Sequence, residues 1–161
     1  MRPWSGAVLC ALTLLVGCAV ASQAGAATEA TPPSAVATTP AKMRAVVRTW
    51  SRLLNASDNK GVARLFSLPA VFSQGPNAYR LRTYAQIALW HSGLPCSGKI
   101  VSLSLSGRYA TAVFRLGDRG QSSCDAPGSL AAARFGIVRG KIVSWEQVAA
   151  PGQDDTDPPV A

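Results

Sequence analysis

Residues 83–119 read TYAQIALWHSGLPCSGKIVSLSLSGRYATAVFRLGDR, and the rest of the chain is arranged around this stretch. Thr83 followed three residues later by Gln86 is a capping box, which satisfies two free N–H groups at a helix start. The helix passes through Ile87 and Trp90, and Gly93-Leu94-Pro95 stops it. Beyond it, residues 99–106 and 109–116 read as two strands around Gly107-Arg108. In that hairpin, facing residues have numbers that sum to about 215, so Cys96 lies opposite position 119, a few residues from Cys124. The stretch predicts a fold and a crosslink but reveals no reaction.

The whole chain has 161 residues, with 16 Lys and Arg against 8 Asp and Glu. Arg2 falls in a leader, Glu29 in a linker, and Asp154, Asp155 and Asp157 in the tail. That leaves 15 basic and 4 acidic residues between 42 and 148, a net charge of +11. Such a charge suits nucleic acid, but a solvated basic surface is the better reading, because the leader is expected to direct the chain out of the cytoplasm. No nucleic-acid partner is expected. Once leader and linker are set aside, one domain remains, long enough to bury a core.

Met1-Arg2 gives the leader a positive start, and residues 7–16 form an apolar run too short to span a bilayer. It ends in Leu15-Val16-Gly17-Cys18, which resembles a bacterial lipobox. That resemblance implies cleavage before Cys18 and a lipid anchor on its sulfur. The competing reading is an ordinary secretory signal cut at Ala19-Val20-Ala21. The expected organisation is a signal peptide at 1–17, a flexible Ala/Thr/Pro tether at 18–41, a folded domain at 42–149 and a disordered acidic tail at 150–161. The chain is therefore expected in the cell envelope, held at a membrane by lipid, or secreted.

Within the domain, Val46, Val47, Trp50, Leu53 and Leu54 recur at helical spacing opposite Arg44, Arg48 and Arg52. A second short helix is expected to bury Val62, Leu65 and Phe66 and to end at Pro69. Residues 70–73 and 79–82 read as short strands around Gly75-Pro76-Asn77. After the central stretch, 130–138 and 141–148 form a last hairpin turning at Arg139-Gly140. The order is helix, helix, strand, strand, helix and four strands, an α+β layer pair.

This order resembles the SnoaL-like, nuclear transport factor 2-like superfamily. The likeness rests on Trp50, Leu54-Asn55 and Asp58 early, and on Phe135-x-Ile137-x-x-Gly140-Lys141-Ile142-x-x-Trp145 at the end. Leu94-Pro95-Cys96-Ser97-Gly98-Lys99-Ile100, with Leu116-Gly117-Asp118-Arg119, is similar to its bacterial secreted branch. The resemblance covers 42–149. It implies a cystatin-like cone: a curved antiparallel sheet wrapped around about three helices, with a pocket at the open mouth.

Superfamily members include epoxide hydrolases, ketosteroid isomerases, dehydratases and polyketide cyclases, which place acids, or His with Asp, inside the cone. This domain offers Asp58, Asp118, Asp125 and Glu146. Asp58 reads as a helix cap, Asp118 and Asp125 lie in a loop, and Glu146 is near a strand end. The epoxide hydrolase pattern sets Arg and Asp two apart on one strand face, whereas Arg115 and Asp118 are three apart. The dehydratase pattern needs more than one histidine. His91 stands alone and reads as a packing or capping residue. No metal cluster, phosphate loop or nucleophile triad is visible, so no catalytic residue, metal or cofactor is assigned.

The expected function is binding of a small apolar or anionic ligand without turnover. The alternative is a hydrolase, isomerase or cyclase of the SnoaL-like, epoxide hydrolase-like type. Candidate pocket residues are Trp50, Phe72, Tyr84, His91, Phe114, Phe135 and Trp145. With the last turn at Arg139-Gly140, Arg134 faces Trp145 as a cation–π pair. The outer sheet face could also pair two copies, although Ser102, Ser104 and Thr111 make its centre polar. Cys10 is lost with the leader and Cys18 goes to lipid, so Cys96 and Cys124 remain as an even pair in an exported chain, which reads as a disulfide.

Overall fold

Thr39 starts the first helix: its hydroxyl accepts from the Lys42 N–H at 3.3 Å, and Pro40 occupies the first turn, where a missing N–H costs nothing. The computed structural model describes residues 38–120 and 122–152. The predicted signal peptide, Cys18, most of the tether and most of the tail lie outside the described residues. Helix α1 (Pro40–Asn55) takes in Pro40 and Ala41, which the sequence assigns to the tether. Its predicted stripe holds, with Val46, Val47, Trp50 and Leu54 buried together with Met43 and Ser51.

Helix α2 (Asn59–Arg64) is capped by Asp58, which accepts from the Gly61 N–H at 2.8 Å. It is shorter than the sequence suggests. Phe66 opens strand β1 (Phe66–Gln74) instead of closing the helix, because its backbone pairs with Ile142. Pro69 does not end the helix; it lies inside β1, at the break in pairing between Phe66 and Val71, where no ladder bond needs its missing N–H. Strand β2 (Asn77–Leu81) returns from β1 with Gln74 opposite Asn77.

Helix α3 (Tyr84–Ser92) carries the capping box at Thr83 and Gln86, with both reciprocal bonds present. It leads into β3 (Cys96–Ser106) and β4 (Tyr109–Asp118), then β5 (Leu130–Val138) and β6 (Lys141–Val148). The six strands form one curved sheet in the order β2-β1-β6-β5-β4-β3. The sheet is mixed, not wholly antiparallel: β6 runs parallel to β1. The intervening α3 and two hairpins bring the chain back beside β1 in the same direction, the long crossover that parallel pairing requires.

Both long hairpins carry one extra residue, and each shifts a predicted pairing. Val101 is unpaired between Ile100 and Ser102, so Cys96 faces Asp118 and not position 119. Val143 is the corresponding extra residue in β6, so Arg134 faces Glu146 while Phe135 faces Trp145. The expected Arg134–Trp145 pair is therefore absent. Arg134 instead bonds Glu146 at 2.6 Å and lies over the Tyr109 ring, 5.5 Å from its centroid.

The concave face supplies Phe66, Ala70, Phe72, Ala110, Ala112, Phe114, Ala133, Phe135 and Trp145, which close on α1 and on Ile87 of α3. Small alanines near the sheet centre let Trp50 sit close, with its ring 5.0 Å from Phe135 and 5.7 Å from Phe114. Among the described residues, no helix is long and apolar enough to cross a membrane.

Candidate ligand cavity at the mouth of the cone

The last turn of α1, the start of β3 and the ends of β1, β4 and β6 do not fill the space between them. They leave a cavity of about 80 Å³. Its walls are Trp50 and Leu54 from α1, Phe114 and Leu116 from β4, Ala131 and Ala133 from β5, and Trp145 from β6. Leu94, Pro95, Cys96, Ser97 and Gly98 form the rim, and Gln74, Gln147 and Asn55 contribute its amides. Among the described residues, no ionisable side chain lines it.

The rim is held in place. Asn55 grips Gly98 on both sides, accepting from its N–H at 2.9 Å and donating to its carbonyl at 3.0 Å. Ser51 donates to the same carbonyl at 3.0 Å. The Cys96–Cys124 disulfide joins the start of β3 to the loop after β4, and Asp118 accepts from the Cys124 N–H at 2.9 Å. Gly98 has no room for a side chain, since a Cβ there would come within 3.0 Å of Phe114.

One polar group in the wall is unspent. Trp145 Nε1–H is buried without a hydrogen-bond acceptor among the described residues, although the indole ring packs against Trp90 at 4.6 Å. A buried donor left unpaired costs about 1–3 kcal/mol.

Trp50, Phe114 and Trp145 are thus the predicted pocket residues that line the cavity. Phe72 and Phe135 are fully buried in the core beneath it. Tyr84 sits elsewhere, on a groove between α2 and α3 with Leu89, and is half exposed. Position one of α3 faces α2 there, not the sheet.

His91 is a core residue, fully buried among Phe66, Phe72, Trp50 and Trp90. Its Nδ1 bonds the Ile87 carbonyl at 2.8 Å, which requires Nδ1 to donate, and its Nε2 accepts from Trp50 Nε1–H at 3.0 Å. Burial, opposed by the Ile87 bond and helped by the nearby Arg119 charge, lowers its pKa to about 4. A neutral imidazole with both nitrogens engaged is not a base for the cavity.

Three of the four acids among the described residues are committed outside the cavity, and the fourth, Asp125, does not line it but has its Oδ1 3.3 Å from Sγ of the rim residue Cys96. Asp58 caps α2, Asp118 holds the Cys124 loop and Glu146 pairs with Arg134 on the sheet's exposed face. Sequence reasoning missed Asn55, Gln74, Gln147 and the 94–98 rim. The Leu54-Asn55 pair and the Leu94–Ile100 stretch gave signals, and both pointed to the fold rather than to a rim.

No family model matches the chain, and no protein of curated function matches it. Solved structures do match. A protein of unknown function with a cystatin-like fold from Methylobium petroleophilum has a TM-score of 0.55 at 20% identity, over 75% of this chain and 84% of that one. SalBIII, an epoxide hydrolase/cyclase-like enzyme in pyran ring formation of the polyether salinomycin, has a TM-score of 0.55 at 16% identity, covering 69% and 92%. A Catenulispora acidiphila protein with a ketosteroid isomerase-like fold, solved with trimethylamine, has 0.51 at 16%, covering 71% and 88%. At such identities the likeness concerns the backbone, and by it this chain has the α+β cone fold of the nuclear transport factor 2-like proteins.

Proposed function

We propose that the domain binds one end of a small, neutral, apolar molecule in the cone cavity and does not transform it. The observation that carries this reading is the lining: alanine, leucine and aromatic walls, one of them the Trp145 indole, whose Nε1–H is buried and unpaired among the described residues. A hydrogen-bond acceptor such as a ketone, ether or lactone oxygen answers that donor. The basic surface favoured an anionic ligand in the sequence, but among the described residues no cation lines this cavity, so the apolar half of that expectation is the one retained. Turnover would need an acid or base at the cavity, and the nearest imidazole is buried and engaged.

Tryptophan fluorescence tests the reading, because Trp50 and Trp145 both line the cavity. Cyclohexanone should quench with saturation, and more tightly than methylcyclohexane. Trp145→Phe should abolish that preference while keeping the hydrocarbon. Equal binding of the two by the unaltered chain would sink the proposal, and conversion of an epoxide or enone by the purified protein would establish the hydrolase or isomerase alternative.

The reading includes a location. The lipobox-like Leu15-Val16-Gly17-Cys18 supports a lipid anchor and a tether at a membrane surface. The full chain should then partition into detergent and lose that property in Cys18→Ala. A mature protein starting beyond residue 18, seen by intact mass, would exclude the anchor.

A further inference from the structure

Arg119 keeps 3% of its surface exposed. Its Nη1 donates to the carbonyls of His91 at 2.7 Å and Leu94 at 2.8 Å, and its Nη2 donates to Asn59 Oδ1. A cation suits the carbonyl end of a helix, so these bonds explain why a guanidinium closes α3. They do not neutralise it. Among the described residues, the ion pair formed is Arg134–Glu146, remote from this site, and no carboxylate reaches Arg119. Asp118, its chain neighbour, is turned to the Cys124 N–H, and Asp58 to the Gly61 N–H.

A guanidinium has five N–H groups. Nε–H of Arg119 is buried with no acceptor among the described residues, and it shares an edge with Nη2. That edge is the fork onto which carboxylates and phosphates bind in pairs. Arg119 also lines a polar cleft with Asn55, Ser57, Asn59, Ser92, Gly120 and Ser122, and among the described residues no acid is in its wall. Gly120 lies close to Ser57, whose Oγ would be 3.2 Å from a Cβ placed there. Leaving a buried charge uncompensated is costly, and the domain as a whole, with 15 basic and 4 acidic residues between 42 and 148, attracts anions.

We infer that this cleft is a site for a small oxyanion, a carboxylate or phosphate-type group held by the Arg119 guanidinium and the hydroxyls of Ser57 and Ser122. It is distinct from the cone cavity, with which it shares only Asn55, and it does not depend on the cavity's function.

The test is thermal unfolding of the full chain in sodium phosphate, sulfate or acetate, each against sodium chloride at equal ionic strength and pH. At least one oxyanion should raise the melting temperature saturably above the chloride value, as mass action requires of a ligand bound to the folded state. A response to acetate assigns a carboxylate site, and a response confined to phosphate and sulfate assigns a tetrahedral one. Arg119→Gln removes the α3 closure along with the charge, so two milder variants carry the test. Ser122→Asp supplies an internal carboxylate and should raise the melting temperature in chloride while abolishing the oxyanion response. Ser57→Gly, at a φ of 57° that glycine adopts freely, should weaken the response by about tenfold. Identical melting in all salts, or a saturable response that Ser122→Asp leaves intact, would overturn the inference.

Discussion

Trp50 and His91, 41 residues apart, are joined by a 3.0 Å hydrogen bond in the centre of the core, indole N–H to imidazole Nε2. The bond needs an unprotonated Nε2, so it ties the packing of α1 against α3 to the charge state of one side chain.

The first prediction concerns pH. Folding lowers the His91 pKa from its ordinary 6.5 to about 4, so the unfolded chain binds this proton more readily. Stability is then unaffected above pH 6.5, falls as pH drops below it, and levels off near pH 4. The full loss is about 3 kcal/mol at roughly 1.4 kcal/mol per unit. Urea unfolding at pH 7.0 and pH 4.5 should show most of it. His91→Gln should be less stable at pH 7.0 yet lose less between the two values. Parallel losses in both proteins would assign the pH dependence to other groups.

The second prediction separates Glu146 from any catalytic role. Its carboxylate bonds the Arg134 guanidinium through both Nε and Nη2 on an exposed face, where such pairs contribute about 0–1 kcal/mol. Glu146→Gln should shift stability within that range and leave cavity binding unchanged. A change in ligand affinity would place Glu146 at the site after all.

These two side chains also show which parts of the structure the sequence made legible. Turn chemistry is local: Arg139 and Gly140 both adopt positive φ, and the dipeptide announces a tight hairpin by itself. The same holds for the Thr83–Gln86 capping box. The extra residues at Val101 and Val143 are not local in this sense. Each is a valine within an ordinary strand pattern, so nothing marks it. One unmarked residue is enough to move Arg134 from Trp145 to Glu146. Phe66 was misplaced for a related reason, since its strand conformation depends on pairing with Ile142, 76 positions away. The cavity was half legible. Large aromatics declare themselves, but Gln74 and Gln147 reach the rim only because β1 and β6 are neighbours.

The third prediction addresses the rim. Gly98 bonds Asn55 through both backbone groups and approaches Phe114 closely. Gly98→Ala should cost about 1–3 kcal/mol, because the Cβ it meets belongs to the Phe114 backbone end and cannot swing aside. Asn55→Ala should cost about 1–3 kcal/mol through the Gly98 N–H it strands. Both should weaken ligand binding, as all three residues line the cavity. Chemical denaturation and the fluorescence titration measure the two effects separately. Unimpaired binding in both variants would mean that this rim does not shape the site.

The last prediction concerns the disulfide, which closes a loop of 28 residues' separation. On the chain-entropy account such a loop contributes about 3–4 kcal/mol by restricting the unfolded chain. Cys124→Ser should therefore lower the melting temperature without changing the far-ultraviolet circular dichroism, because all three helices and four of the six strands lie outside the crosslinked loop. Its effect on binding should exceed its effect on the fold. Cys96 itself lines the cavity, and Leu94, Pro95 and Ser97 flank it there, whereas Cys124 does not. Releasing the bridge leaves Gly98 anchored by Asn55 and Ser51 but frees the segment before it. The titration should accordingly show weaker binding in Cys124→Ser, assayed well below its melting temperature. Full-strength binding there would show that the Asn55 clamp alone sets the rim, and an unchanged melting temperature would show that the bridge does not form in the purified protein.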